Sequence, residues 1–237
     1  MRIRYLTAAL AILAALLLVV AGPGAQSGLW TFRTGFTLLR WAAYTGLAAA
    51  VAALLQLLIG RQRGLARGPL VLAVLLGLLT AGVPWFWRQR ARQVPPIHDI
   101  STDTQNPPTF VAVLPLRADA PNPATYGGAE LAATQAEAYP DIRSLELPGT
   151  PPDAAFKRAL DAARAAGWAI VAADSAEGRI EATATTGWFG FKDDVVVRIQ
   201  AAGAGSRLDV RSVSRVGKSD VGTNTRRIRS YLRGLAD

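Results

Sequence analysis

The chain has 237 residues, 51% of them hydrophobic and 18% charged, with 26 Lys and Arg against 17 Asp and Glu for a net charge of +9. It has no cysteine and one histidine, which excludes disulfides, thiolate catalysis, iron–sulfur clusters, Cys-based zinc sites and any metal centre needing two imidazoles. The basic excess would suit a nucleic-acid binder, but residues 1–93 hold ten arginines and no acid while residues 94–237 carry −1; the charge frames the apolar part of the chain, and no nucleic-acid partner is expected.

Three runs without a charged residue come first, at residues 5–21, 41–59 and 69–87, of 17, 19 and 19 residues. A helix rises 1.5 Å per residue, so about 19 residues cover the roughly 30 Å hydrocarbon core of a bilayer. The arginines lie between or beside the runs, avoiding the cost of about 2.5–3.5 kcal/mol for insertion at mid-bilayer. Trp30, Phe32 and Trp41 mark the approach to the second run, and Trp85, Phe86 and Trp87 end the third, the pattern of an interfacial aromatic belt. Three transmembrane helices are predicted. Arg2 and Arg4 before an apolar run also open a secretory signal, and residues 21–25 offer small side chains for cleavage; the length of the run and the two behind it favour an uncleaved helix. Within the runs only Thr7, Tyr44, Thr45, Gln56 and Thr80 are polar, too few for a transport path. Gly46 with Ala50, and Gly77 with Ala81, instead suit close helix packing.

Flanking charge does not choose an orientation. Arg2, Arg4, Arg61, Arg63 and Arg67 stand at one side, and Arg33, Arg40, Arg88, Arg90 and Arg92 at the other. The basic start of the first helix, and the readiness of long C-terminal domains to translocate, both put the N-terminus inside. Three spans then leave the C-terminal domain on the periplasmic side of an inner membrane.

Residues 94–109 read as an extended linker, opening with Val94-Pro95-Pro96 and closing with Pro107-Pro108, and residues 110–237 as an extramembrane domain. A strand is predicted over 110–116, confined to an edge by Pro115. A short helix follows over 129–138 and a short strand over 145–147. The next helix has Thr150 as N-cap and Pro151 at its first position, runs to about Ala166 and is stopped by Gly167. Four strands come next, at 168–173, 179–185, 194–200 and 207–216, joined at Gly178, at Gly187 and Gly190, and at Gly203 and Gly205. Ile180, Ala182 and Ala184, then Val195, Val197 and Ile199, then Leu208 and Val210 alternate onto one face. Glu181, Asp194, Arg198, Arg207, Asp209, Arg211 and Arg215 take the other. A last helix over 223–235 presents Ile228, Tyr231, Leu232 and Leu235 at helical spacing. The expected class is α+β: three transmembrane helices, then a two-layer domain with helices packed on one face of an antiparallel meander.

Several strings carry a family resemblance. They are Tyr139-Pro140-Asp141-Ile142, then Gly190-Phe191-Lys192-Asp193-Asp194-Val195-Val196-Val197-Arg198-Ile199, and then Asp209-Val210-Arg211-Ser212-Val213-Ser214-Arg215-Val216-Gly217-Lys218-Ser219-Asp220 with Asn224 and Arg227-Ile228 beyond. Together they resemble the domain of unknown function 1499 family over roughly residues 96–235. The resemblance implies an envelope-associated α+β domain and brings no established activity to assign to residues.

The densest polar chemistry lies at residues 211–227. Gly217-Lys218-Ser219 stands between a strand and a helix, but a phosphate loop needs a glycine five residues before the Gly-Lys pair, where this chain has Ser212. Arg211, Arg215, Lys218, Ser219, Asp220, Asn224 and Arg227 therefore have two readings. One is a site for an anionic group, such as a lipid headgroup or cell-wall phosphate, at the start of the last helix. The other is structural, with Asp220 or Thr223 capping that helix and the arginines paired with Glu181, Asp194 and Asp209 across strands. The hairpin bearing Trp188, Phe189, Phe191, Lys192 and Asp193 is an interaction loop if its aromatics are exposed, and a cap on the sheet core if they are buried. His98, beside Asp99 and Asp103, is the sole histidine for acid–base work, and no Gly-x-Ser-x-Gly elbow accompanies it. No catalytic residue, metal or cofactor is assigned. The expected function is that of an integral membrane protein of a bacterial envelope presenting an α+β binding or interaction module, with the bilayer and an anionic lipid or envelope protein as partners. The alternative is an envelope enzyme acting on a phosphorylated or lipid-linked substrate.

Overall fold

The computed structural model describes residues 2–60 and 67–236. Arg61 and Arg63, counted above among the flanking charges, lie outside the described residues. The chain divides into two compact units: Met1–Arg90 with Gly187–Gly190, and Ala91–Thr186 with Phe191–Asp237.

The first unit is built on α1 (Arg2–Gln26), α2 (Phe32–Gly60) and α3 (Gly68–Arg92). All three are long and apolar enough to cross a membrane. Their packing inverts that of a water-soluble bundle. The buried positions are small, with Ala11, Ala49, Ala53 and Ala73 clustering around Leu70, while Leu54, Leu58, Leu75 and Leu78 are each more than half exposed. The small residues allow a close crossing of α2 and α3. A Cβ on Gly77 would lie 2.2 Å from the carbonyl oxygen of Gly46, and one on Gly46 would lie 1.8 Å from Thr80 Oγ1. Three of the four small residues singled out from spacing, Gly46, Ala50 and Gly77, meet at this crossing, and Thr80 stands where Ala81 was expected. Gln56 Nε2 donates to Thr7 Oγ1 at 2.8 Å and ties α2 to α1.

The second unit holds a six-stranded antiparallel sheet. Its strands are β1 (Asp99–Ser101), β2 (Leu145–Leu147), β3 (Ala169–Asp174), β4 (Arg179–Thr185), β5 (Lys192–Ala202) and β6 (Gly205–Ser214). The order is β1-β6-β5-β4-β3, with β2 also pairing to β6. β3 to β6 form the predicted meander. β1 and β2 lie end to end along the outer edge of β6, β1 opposite residues 211–213 and β2 opposite residues 206–208. Three helices accompany the sheet: α4 (Gly128–Ala138), α5 (Pro152–Ala165) and α6 (Thr223–Ala236). Phe156, Ala159 and Ala163 of α5 and Ile228, Tyr231 and Leu235 of α6 cover the apolar sheet face, where they meet Ile180, Ala182, Val195, Val197, Ile199, Leu208 and Val210. Trp168 stacks on Tyr231 with centroids 4.7 Å apart, and Tyr231 Oη donates to the Ala159 carbonyl at 2.7 Å.

Three expectations change. The linker over 94–109 contains a strand, because β1 extends the sheet beside β6. It is held from outside by Gln135 of α4, whose Oε1 accepts from the Ser101 N–H at 2.9 Å while its Nε2 donates to the Ser101 carbonyl at 2.7 Å. The predicted strand over 110–116 is a turn running into a 3-10 helix at Pro115–Arg117. The cause is Glu181, whose carboxylate accepts from the backbone N–H groups of Val111, Ala112 and Val113 at 3.0–3.1 Å; three successive N–H groups aimed at one carboxylate cannot alternate as in a strand. Helix α5 begins one residue later than predicted. Pro152 pushes Pro151 to an extended conformation (φ −61°, ψ 153°), so Pro151 rather than Thr150 is the residue before the helix.

Candidate functional site

Strand parity on β6 divides the residues singled out between 211 and 227. Leu208 and Val210 face the helices, so Ser212 and Ser214 follow them, while Asp209, Arg211, Val213 and Arg215 face the opposite side. That side is roofed by the irregular segment 103–126, with Phe110 and Val113 packing against Val196 and Val213. The polar sheet face is therefore buried.

Under this roof the charges are paired. Arg211, 2% exposed, donates to both carboxylate oxygens of Asp99 at 2.9 and 2.8 Å, and its guanidinium lies between the rings of Phe110 and Tyr126, 5.2 and 5.3 Å from their centroids. Arg215 binds Asp194 through Nε and Nη2, at 2.9 and 2.8 Å, and Arg117 approaches the same carboxylate at 3.4 Å. Burial lowers the Arg117 pKa against the opposing pull of Asp194. Asp209 and Asp103 are bridged by Arg198 and Arg207, and Asp209 also accepts from Ser144 Oγ at 2.5 Å. The cross-strand pairing expected of Asp194 and Asp209 is present, but Glu181 is met by Arg179 of its own strand, 3.3 Å away. Burial raises the Tyr126 phenol to about 12, helped by Asp99, and the hydroxyl has no hydrogen-bond partner among the described residues.

A second polar cluster lies at the helix-facing end of the same strands. Asn224, at the start of α6, accepts from Ser212 Oγ at 2.7 Å and donates to the His98 carbonyl at 2.9 Å and to Ser214 Oγ at 3.1 Å. Arg227 donates to Asp193 at 2.6 Å, to Ser212 Oγ at 3.1 Å and to Asn224 Oδ1. Asp220 precedes the helix and accepts from the N–H groups of Gly222 and Asn224 at 2.8 and 2.6 Å, so it, not Thr223, caps the helix. Burial raises the Asp220 pKa, the two N–H groups lower it, and burial prevails. Val221, between Asp220 and Gly222, holds a left-handed φ of 53°. Ser219 Oγ accepts from the Val221 N–H at 3.1 Å, and Lys218 is exposed.

The seven residues thus do not converge. Arg211 and Arg215 lie on the roofed face, Asn224 and Arg227 on the helix face, and Ser219 and Asp220 in the turn between. Arg227 borders a concavity of about 520 Å³ together with Trp168, Ala184, Thr185, Ser230 and Tyr231. In the hairpin, Phe189 is the buried aromatic, and it groups with the helical unit, its ring 5.1 Å from that of Phe36. Phe191 donates its N–H to Thr186 Oγ1 at 2.9 Å, Lys192 is exposed, and Asp193 is taken by Arg227. Sequence reasoning missed Glu181 as the organiser of the roof and Arg117 as a second cation on Asp194. The signal for separating the arginines was available: residues 208 and 210 on one face require 211 and 215 on the other.

The profile of the family described as "Protein of unknown function (DUF1499)" matches residues 99–235, more than half of the chain. The chain belongs to the DUF1499 family. Every element from β1 to α6 falls within the matched stretch or ends one residue beyond it, so the whole sheet and both of its covers make up the DUF1499 domain. A search of curated proteins returned no match. Among the described residues of the DUF1499 domain, no group of three or more His, Cys, Asp or Glu side chains is placed to hold a metal ion.

Proposed function

We propose that this protein is a multi-pass protein of a bacterial inner membrane that presents its DUF1499 domain on the periplasmic side as a binding or interaction module. The observation that carries the membrane part is the inverted packing of the helical unit. Small side chains are buried and leucines exposed, an arrangement that suits hydrocarbon as the surrounding medium and would be unfavourable in water. The module reading draws support from the domain's charges. Arg211, Arg215 and Arg227 are each neutralised by a carboxylate, which leaves structural rather than catalytic work to them. An envelope enzyme acting on an anionic substrate would need Arg215, Lys218 and Arg227 around one cavity.

Fusing a periplasm-active and a cytoplasm-active reporter after Asp237 tests the orientation: activity of the periplasmic reporter alone is expected, and activity of the cytoplasmic reporter alone reverses the topology. Membrane retention under alkaline extraction tests the spans themselves. Co-purification from membranes tests the module, with a specific envelope partner expected and turnover of a lipid-linked phosphate by the purified chain replacing it with the enzyme reading.

A further inference from the structure

The charge-free stretch of α2 begins at Trp41, immediately after Arg40, and that of α3 ends at Trp87, immediately before Arg88. The two helices run antiparallel, since Gly46 meets Gly77 and Thr80 while Ala49 and Ala53 cluster with Leu70 and Ala73. Arg40 stands six residues before Gly46 and Arg88 eight after Thr80, or about 9 and 12 Å along the helix axes. Both therefore leave the apolar zone at the same end and at nearly the same depth, with Arg90 one step further out. All three are exposed, Arg90 lies 5.0 Å over the Phe86 ring, and Trp41, Trp85 and Trp87 are exposed beside them.

We propose that Arg40, Arg88 and Arg90 bind the phosphates of anionic glycerophospholipids around this end of the helical unit. The inference rests on the membrane reading above. Residues 1–93 contain no acidic side chain, so nothing in that stretch offsets these charges. In the proposed orientation this end faces away from the cytoplasm, where arginines oppose the usual distribution of positive charge and serve no topological purpose. Lipid phosphates supply the counter-charge, and each guanidinium matches their geometry with two parallel N–H donors. Leu47 and Leu78, exposed near the crossing, give the acyl chains an apolar wall, and the tryptophans sit at headgroup depth.

The test uses the full chain reconstituted into phosphatidylcholine vesicles containing phosphatidylglycerol with brominated acyl chains, read by quenching of tryptophan fluorescence. Stronger quenching than with brominated phosphatidylcholine is expected, weakening about fivefold for each of Arg40→Gln, Arg88→Gln and Arg90→Gln. Arg2→Gln/Arg4→Gln at the opposite end should leave the preference intact, and the three Arg→Lys variants should retain part of it, which separates lost charge from lost folding. An inserted chain without a preference for phosphatidylglycerol, or one whose preference survives the triple glutamine variant, overturns the site. Displacement by soluble glycerol phosphate would overturn the lipid as its occupant. A chain that alkaline extraction strips from membranes fails the membrane reading and this site with it.

Discussion

The two units solve opposite packing problems. In the helical unit the side chains at the crossing are reduced to glycine and alanine so that backbones can touch, and the large apolar groups are left outside. In the DUF1499 domain the large apolar groups are inside and, with them, a set of ions: Glu181, Asp194, Asp209 and Arg211 are essentially inaccessible. Charge divides the same way. The first 93 residues carry +10 with no acid to answer it, whereas residues 94–237 carry −1 from many charges that mostly answer one another. In one unit electrostatics is directed outward; in the other it fixes how the chain folds over its own sheet.

The hardest blow to this contrast should come from Asp99→Ala. It leaves Arg211 buried without a carboxylate, and breaking a buried pair by removing one partner costs about 3–5 kcal/mol. Urea unfolding of the full chain in detergent, followed by protection of the β1 and β6 amides against exchange, should show that loss. Replacing both partners, as Asp99→Leu/Arg211→Met, should recover much of it. If the single variant proves as stable as wild type, the roofed ion pairs are ornamental and the contrast fails. Gly77→Leu comes next. Its side chain has to enter where a Cβ already meets the Gly46 carbonyl at 2.2 Å, and overpacking of this kind costs about 1–3 kcal/mol. Cysteine pairs placed across α2 and α3 should crosslink less readily in that variant, while Leu78→Ala, on the exposed side, should leave crosslinking unchanged.

Much of this is legible in the sequence. Apolar alternation from Ile180 to Val210 marks the meander and its helix-facing side because a half-buried antiparallel sheet imposes period two. Gly46 and Ala50 mark a helix contact because only small residues allow one there. The roof was not readable. Its course depends on Glu181 collecting three N–H groups from a segment about 70 residues earlier, and β1 depends on Gln135 reaching the Ser101 backbone. Such long-range bonds between side chain and backbone leave no periodic trace. The candidate site failed to gather for a related reason: residues crowded together in sequence at 211–227 span a strand, a turn and a helix, which send them to different faces.

Alkali offers a gentler test of the roofed side. Tyr126 has its phenol raised from the ordinary 10.0 to about 12 by burial. A group with a raised folded pKa contributes stability that is complete below the unfolded value and is lost as pH rises through the folded one. Unfolding free energy should therefore decline from pH 10 towards pH 12, with phenolate absorbance at Tyr126 delayed relative to exposed tyrosines. Tyr126→Phe should remove its share of that decline and cost little at neutral pH, since the hydroxyl has no partner to lose among the described residues.

Asp220 should give the smallest effect and the sharpest sign. Its carboxyl caps α6, yet burial raises it above the ordinary 3.8, with Asp193 adding to the rise and the N–H groups of Gly222 and Asn224 only partly compensating. By the same linkage, its contribution is complete below pH 3.8 and is lost as pH rises through the raised value, so at neutral pH the ion is held at a cost. Asparagine caps a helix about as well as aspartate and bears no charge. Asp220→Asn should therefore gain on wild type as pH rises from 3.8 to 7, by no more than about 1 kcal/mol, measured as the difference in urea midpoint at the two ends of that range. If the variant instead loses ground over that interval, the negative charge is what holds the start of α6. This turn would then belong with the paired ions of the roofed face, where charge stabilises, and not with the buried carboxyl groups that the fold merely tolerates.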